Sequence, residues 1–138
     1  MLEPWSLHPQ LAHDTGPIGD LPLSQVRLMH DANYPWLLLV PRRPGASEIV
    51  DLDEAARVQL MSEIALASRA LKTVTACDKL NAAAIGNVVP QLHVHVVARR
   101  RGDAAWPRPV WGAVPPRAYA PAALAALIGA IRSELRIG

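Results

Sequence analysis

Hydrophobic and polar positions along the chain switch between two periods, and the switches divide it into elements. From Ser24 to Asp31, Val26, Leu28 and His30 alternate with Arg27 and Met29, the two-residue period of a strand. Asp31-Ala32-Asn33-Tyr34-Pro35 supplies turn residues. Trp36 to Val40 is a short apolar run ended by Pro41, as in a buried strand, and the two strands are expected to pair antiparallel. Arg42 to Ser47, with Pro44 and Gly45, reads as a loop. The period then lengthens: Leu60, Ile64, Ala67, Leu71 and Val74 recur at helical spacing and predict a long helix with that stripe on the core. Asp51 and Glu54 give it a capping-box-like start, with Asp in the usual place of Ser or Thr. Leu80 to Ile85 reads as extended and Gly86-Asn87 as a turn before a second strand-period run. Past Arg101 the proline density, from Trp106-Pro107 through Pro115-Pro116, excludes helix and central strand. Pro121 opens a final helix, Ala122 to Arg136, with Leu124, Leu127, Ile131 and Leu135 as its stripe and basic residues late. The first twenty residues, rich in Pro, Gly and Asp, read as an irregular lead-in with one short strand near Trp5 to Leu7. Strands flanking one long helix, with a second helix at the end, predict the α+β class with an antiparallel sheet, in a single domain over residues 1–138.

Composition narrows this picture. The chain is 51% hydrophobic and 19% charged, which fits a globular protein and excludes disorder; with no Phe, its core must be filled by Leu, Val, Ile and Ala. Net charge is only +2, yet twelve of the fourteen basic residues are Arg, including Arg42-Arg43 and Arg99-Arg100-Arg101. Clustered guanidiniums suit bidentate phosphate or carboxylate ligands, and serve equally as solubilising charge. Neither reading calls for nucleic acid as a specific partner. The single cysteine, Cys77, excludes an intrachain disulfide, and its place near the end of the predicted helix favours packing. The start of the chain has neither a basic nor an apolar leader region, and the longest apolar stretches are too short or too broken to span a bilayer. A cytoplasmic location without membrane contact is the expectation.

The chemistry concentrates in Gly86-Asn87-Val88-Val89-Pro90-Gln91-Leu92-His93-Val94-His95-Val96-Val97-Ala98-Arg99. Strand alternation puts Gln91, His93 and His95 on one face, with Leu92, Val94 and Val96 on the other. Three readings are open. The histidines can be solvated surface residues. They can hold a metal ion, for which a third ligand such as Asp31 or Glu48 would have to be recruited. Or one neutral imidazole can attack phosphorus while the other donates a hydrogen bond to a non-bridging oxygen.

Gln91-Leu92-His93-Val94-His95-Val96-Val97 resembles the histidine triad (HIT) motif, H-φ-H-φ-H-φ-φ, with Gln in place of the first His. Gly86-Asn87 falls where that family usually has Gly-Gln, and Trp36-Leu37-Leu38-Leu39-Val40-Pro41-Arg42 resembles its upstream strand. Asp31, Pro35 and the intervening helix fall in the same order, so the likeness covers roughly Leu23 to Arg101, with residues 102–138 as a Pro/Trp-rich loop and C-terminal helix. The resemblance implies a HIT-like fold: a five-stranded antiparallel sheet with one long central helix and a C-terminal helix, commonly a homodimer with a continuous sheet. It implies a nucleotide hydrolase or nucleotidyltransferase needing neither metal nor cofactor, acting for example on dinucleoside polyphosphates or nucleoside phosphoramidates. By position His93 matches the nucleophile, His95 the phosphate contact, and Gln91 the substituted first position. Asn87, Asn81, Asp31 and Arg99 match nucleotide- or phosphate-binding positions. Trp36, in the place of an upstream His that often supports the first triad His, is expected as pocket wall, changed together with Gln91. Val88 stands where one branch carries a Ser that helps an amine depart. Trp106 and Trp111 are expected to pack against a partner subunit, ahead of stacking on a base or filling a pocket mouth. The alternatives are a non-catalytic nucleotide-binding module and a metal-dependent enzyme using the two histidines.

Overall fold

A computed structural model describes residues 3–137; Met1, Leu2 and Gly138 lie outside it. The elements run α1 (Pro9–Asp14), β1 (Thr15–Asp20), β2 (Ser24–Met29), β3 (Trp36–Pro41), a 3₁₀ turn at Ile49–Asp51, α2 (Glu54–Thr75), β4 (Lys79–Ala83), β5 (Val94–Arg99) and α3 (Pro121–Leu135). The strands form one sheet in the order β1-β2-β3-β5-β4, every neighbouring pair antiparallel. The α+β class, the five-stranded antiparallel sheet, the long central helix and the C-terminal helix therefore stand as expected.

β3 is buried at all six positions because both sheet faces are covered, which is why it reads as a continuous apolar run. On one face, Val26, Leu28, Leu37, Leu39, Val96 and Ala98 pack with Ala67 and Leu71 of α2 and Ile131 and Leu135 of α3. On the other, Trp36, Leu38, Val40 and Val97 are roofed by Leu11, Val89, Ala105 and Val110, with Trp5, Leu7 and Trp111 packed at the margin. That second roof has no regular structure except α1, and it is where the histidines lie.

Several local expectations change. The Trp5 to Leu7 strand is absent; β1 forms instead at Thr15–Asp20, inside the stretch read as lead-in. Gly16, Pro17 and Gly19 read as turn residues, but β1 is an edge strand with a register shift between Pro17 and Gly19, where proline is tolerated. Gly19 is required by close approach: a Cβ there would stand 2.8 Å from Cδ1 of Ile137. Asp53, not Asp51, caps α2, its carboxylate accepting from the N–H of Ala56 at 2.8 Å. Asp51 instead closes the turn before the helix, accepting from the N–H groups of Ser47 and Glu48. Glu63 is 2% exposed on α2, and its carboxylate accepts from the N–H groups of Leu23 and Ser24 at 2.7 and 2.9 Å, fastening the helix to the start of β2. Cys77 is half-buried against the core. No helix among the described residues is long and apolar enough to cross a membrane.

Candidate functional site

β5 alternates as its sequence predicts, sending Val94, Val96 and Ala98 toward the helices and His95 and Val97 toward the second face. The strand begins only at Val94, so Gln91, Leu92 and His93 belong to the approach loop. That loop is held by the N–H of Leu92 donating to the Ala46 carbonyl at 3.0 Å. His93 still comes to lie against His95: their ring centroids are 4.9 Å apart at 69°, and the residues are 6% and 5% exposed.

The partners of the two rings set their protonation. His93 Nδ1 lies 2.7 Å from the Gln91 carbonyl oxygen. A carbonyl only accepts, so Nδ1 carries the proton, and in the neutral ring the lone pair is on Nε2. At His95 the order is reversed. The indole N–H of Trp36 donates to His95 Nδ1 at 2.9 Å, so Nδ1 is the acceptor and Nε2 carries the proton. Burial, and then the neighbouring His93, bring the His95 pKa down to about 4 and keep it neutral at physiological pH. The pair thus combines one ring with a free Nε2 lone pair and one with an Nε2–H donor. Trp111 stands edge-to-face on both His95 and Trp36, at 5.3 and 5.9 Å, while the Trp36 ring is tilted at 55° against the imidazole.

The Gln91 amide is taken up by the N-terminal segment. Its Oε1 accepts from the His8 N–H and its Nε2 donates to the Ser6 carbonyl, both at 2.8 Å. Both ends of the amide are therefore spent holding the N-terminal segment over the sheet. Gln91 and Trp36, read as changed together, make separate contacts: Trp36 with His95 and Gln91 with the N-terminal segment.

Asn81 and Arg99 come together with each other and not with the histidines. Arg99, 1% exposed, donates from Nε and Nη2 to Asp103 at 2.8 and 3.0 Å and from Nη1 to Asn81 Oδ1 at 2.9 Å. Its guanidinium lies between the rings of Tyr34 and Trp106, at 5.7 and 5.5 Å. So enclosed, Arg99 cannot meet a phosphate in this conformation; it ties the end of β5 to the loop that follows. Burial raises the Asp103 carboxyl, but the Arg99 guanidinium and the N–H groups of Arg100, Ala105 and Trp106 outweigh it and bring it down to about 2. Asn87 stands exposed in the approach loop, beside an exposed Val88. Trp106 and Trp111 both pack within their own chain.

Asp31 is buried beside a cavity of about 460 Å³ that is also lined by Met29, His30, Trp36, Val110 and Val114. Its Oδ1 accepts from the N–H and side-chain amide of Asn33 and from the Arg117 N–H, fastening the far end of the 102–117 loop. Trp36 connects the two regions, lining the cavity while bonding His95. Among the described residues, no three or more His, Cys, Asp or Glu side chains group closely enough to hold a metal ion. Asp103 and the N-terminal segment are the parts that sequence reading missed; a charged residue two beyond the Arg run was the one available signal, and it did not reveal the partner.

Comparison with known proteins agrees with this geometry. A family model described as the HIT domain matches residues 11–102, starting well before Leu23 because it takes in β1. No curated protein matches the chain. Among solved structures, a histidine triad protein from Bradyrhizobium japonicum is 62% identical, the alignment covering 96% of this chain and 99% of that one at a TM-score of 0.95. One from Sinorhizobium meliloti is 40% identical, covering 94% and 96% at 0.92. One from Marinobacter aquaeolei is also 40% identical, covering 97% and 98% at 0.94. With two imidazoles meeting at the start of β5, the antiparallel sheet and these likenesses along nearly its whole length, the chain belongs to the histidine triad family.

Proposed function

We propose that this protein is a nucleotide hydrolase or nucleotidyltransferase acting through a nucleotidyl-His93 intermediate, on substrates such as dinucleoside polyphosphates or nucleoside phosphoramidates. The observation that carries the reading is the opposite protonation of two touching imidazoles. His93 Nδ1–H is committed to the Gln91 carbonyl, leaving Nε2 as nucleophile, while His95 presents Nε2–H to a non-bridging oxygen. The cavity beside Trp36 has an apolar floor of Met29, Trp36, Val110 and Val114, with the carboxylates of Asp14 and Asp31 in its lining, suited to a nucleoside. Asn87 is the remaining amide free to meet a phosphate, whereas Asn81 and Arg99 leave that role because their polar groups bond each other and Asp103. The decisive experiment is mass spectrometry of the protein quenched during reaction with a dinucleoside polyphosphate. A nucleotide mass on the peptide containing His93 is expected, absent in His93→Ala along with turnover; wild-type rates in His93→Ala would overturn the assignment.

One observation favours a second reading, a nucleotide-binding module without turnover: the side chain at the first triad position contributes nothing to the reacting groups, since the Gln91 amide is bonded to Ser6 and His8. Calorimetric nucleotide binding with no adduct and no hydrolysis would establish it. The same proposal places the protein in the cytoplasm as a homodimer. Edge strand β4 and the exposed Val58 and Met61 on α2 offer surface for a second copy, which sedimentation equilibrium tests.

A further inference from the structure

We propose that Trp36 is a positioning residue: by donating its indole N–H to His95 Nδ1, it holds His95 as a neutral Nε2–H donor and removes it from proton transfer. This rests on the catalytic reading above and goes beyond the role of pocket wall. An indole N–H has no lone pair to offer, so a proton on His95 Nδ1 would point at another proton. The bond is 2.9 Å long and buried, with Trp36 6% exposed, and Trp111 closes the ring from another side. The groups facing His95 supply no alternative acid. His93 lies against it from the approach loop; β3 presents Trp36 and, at the paired position, Leu38; β4 presents Ala83; the 102–117 loop presents Trp111. Of these only His93 carries an ionisable group, and it is the nucleophile.

The consequence falls on the leaving group. His93 Nε2 forms the N–P bond as the bond from phosphorus to the leaving atom breaks, and that electron pair departs with the leaving group. With no proton delivered by His95, the group must leave as a stable anion. Water then attacks phosphorus, the N–P pair returns to Nε2, and the proton that water sheds goes to the departed anion or to solvent. Phosphoanhydrides satisfy this requirement; amines, which need a proton to leave, do not, so of the two substrate classes proposed above this selects the dinucleoside polyphosphates.

Two measurements test the role separately from the catalytic reading. Long-range ¹H–¹⁵N NMR of the histidine rings requires no turnover. It should show His95 protonated on Nε2 and bare on Nδ1 across neutral pH, and in Trp36→Phe, with the fold retained, a His95 titration about one unit higher because a bond to the neutral form is gone. A proton on His95 Nδ1 in the wild type, or an unmoved titration in the variant, overturns the proposal. Kinetics on adenosine and guanosine 5′-aryl phosphates should give kcat/KM falling steeply as the phenol becomes less acidic. A flat dependence, or faster cleavage of a nucleoside phosphoramidate than of a dinucleoside polyphosphate, overturns the proposal while leaving His93 catalysis intact. Failure to turn over any of these substrates overturns the catalytic reading itself, and the NMR result then decides the Trp36 bond alone.

Discussion

Asp103→Asn should be among the most damaging single-atom changes in this protein. The carboxylate accepts five hydrogen bonds: two from Arg99, and one each from the N–H groups of Arg100, Ala105 and Trp106. Its folded pKa of about 2 lies below the ordinary Asp value of 3.8. By linkage that difference corresponds to roughly 2.5 kcal/mol, which solvent screening at the loop surface trims to about 2. Because the folded pKa is the lower one, this stabilisation is complete above about pH 4 and is lost as pH falls toward 2, with about half gone by pH 3. The amide of Asn removes the charge and leaves the Arg99 guanidinium, 1% exposed, without its anion. Breaking a buried pair from one side costs about 3–5 kcal/mol. Urea unfolding followed by tryptophan fluorescence, at pH 7 and at pH 3, measures both effects. The expected result is a variant destabilised by about 3 kcal/mol or more at pH 7, with the gap to wild type narrowing by about 1 kcal/mol at pH 3. A gap under 1 kcal/mol, or one that does not narrow in acid, would refute the assignment of Asp103 as the anchor of the loop that carries Trp111 onto His95.

Glu63→Ala should cost about 3 kcal/mol, since it strands the Leu23 and Ser24 N–H groups in the core, and Glu63→Gln should recover part of that; equilibrium denaturation compares the two. Gln91→Ala should free the N-terminal segment locally, raising the hydrogen-exchange rate of the His8 amide about tenfold while core amides stay protected; unchanged exchange there would show that the clamp is idle. Ala76→Gly should stabilise the fold by about 1 kcal/mol, because Ala76 closes α2 at φ 51° in the left-handed region; a lower melting temperature would count against that account.

Local patterns carried much of the architecture. The helical stripe from Leu60 to Val74 located α2, and Pro121 with the Leu124 to Leu135 stripe located α3, because burial on one face of a helix repeats at a period that sequence displays. The unbroken run Trp36–Val40 marked a strand buried on both faces. β1 escaped notice because proline and glycine are turn-formers until an edge position and a neighbour such as Ile137 give them another use. The cap of α2 was misplaced by two residues, since Asp51 and Asp53 offer the same chemistry and only the geometry of the 3₁₀ turn separates them.

At the site, spacing along the chain was enough to bring His93 and His95 together, because residues two apart near a strand share a face whatever surrounds them. The roles of Gln91, Trp36 and Asn81 depended on partners far away in sequence: Ser6 and His8 for Gln91, His95 for Trp36, and for Asn81 the Arg99 guanidinium, which Asp103 holds from four residues on. Cross-strand register and the path of an irregular roof choose such partners, and no local period encodes them. The chain therefore states which two imidazoles meet, while the packed sheet decides which nitrogen of each carries the proton. The approach loop turns the Gln91 carbonyl, two residues away, to accept from His93 Nδ1, while His95 Nδ1 accepts from an indole on the neighbouring strand, a bond only the tertiary structure can supply.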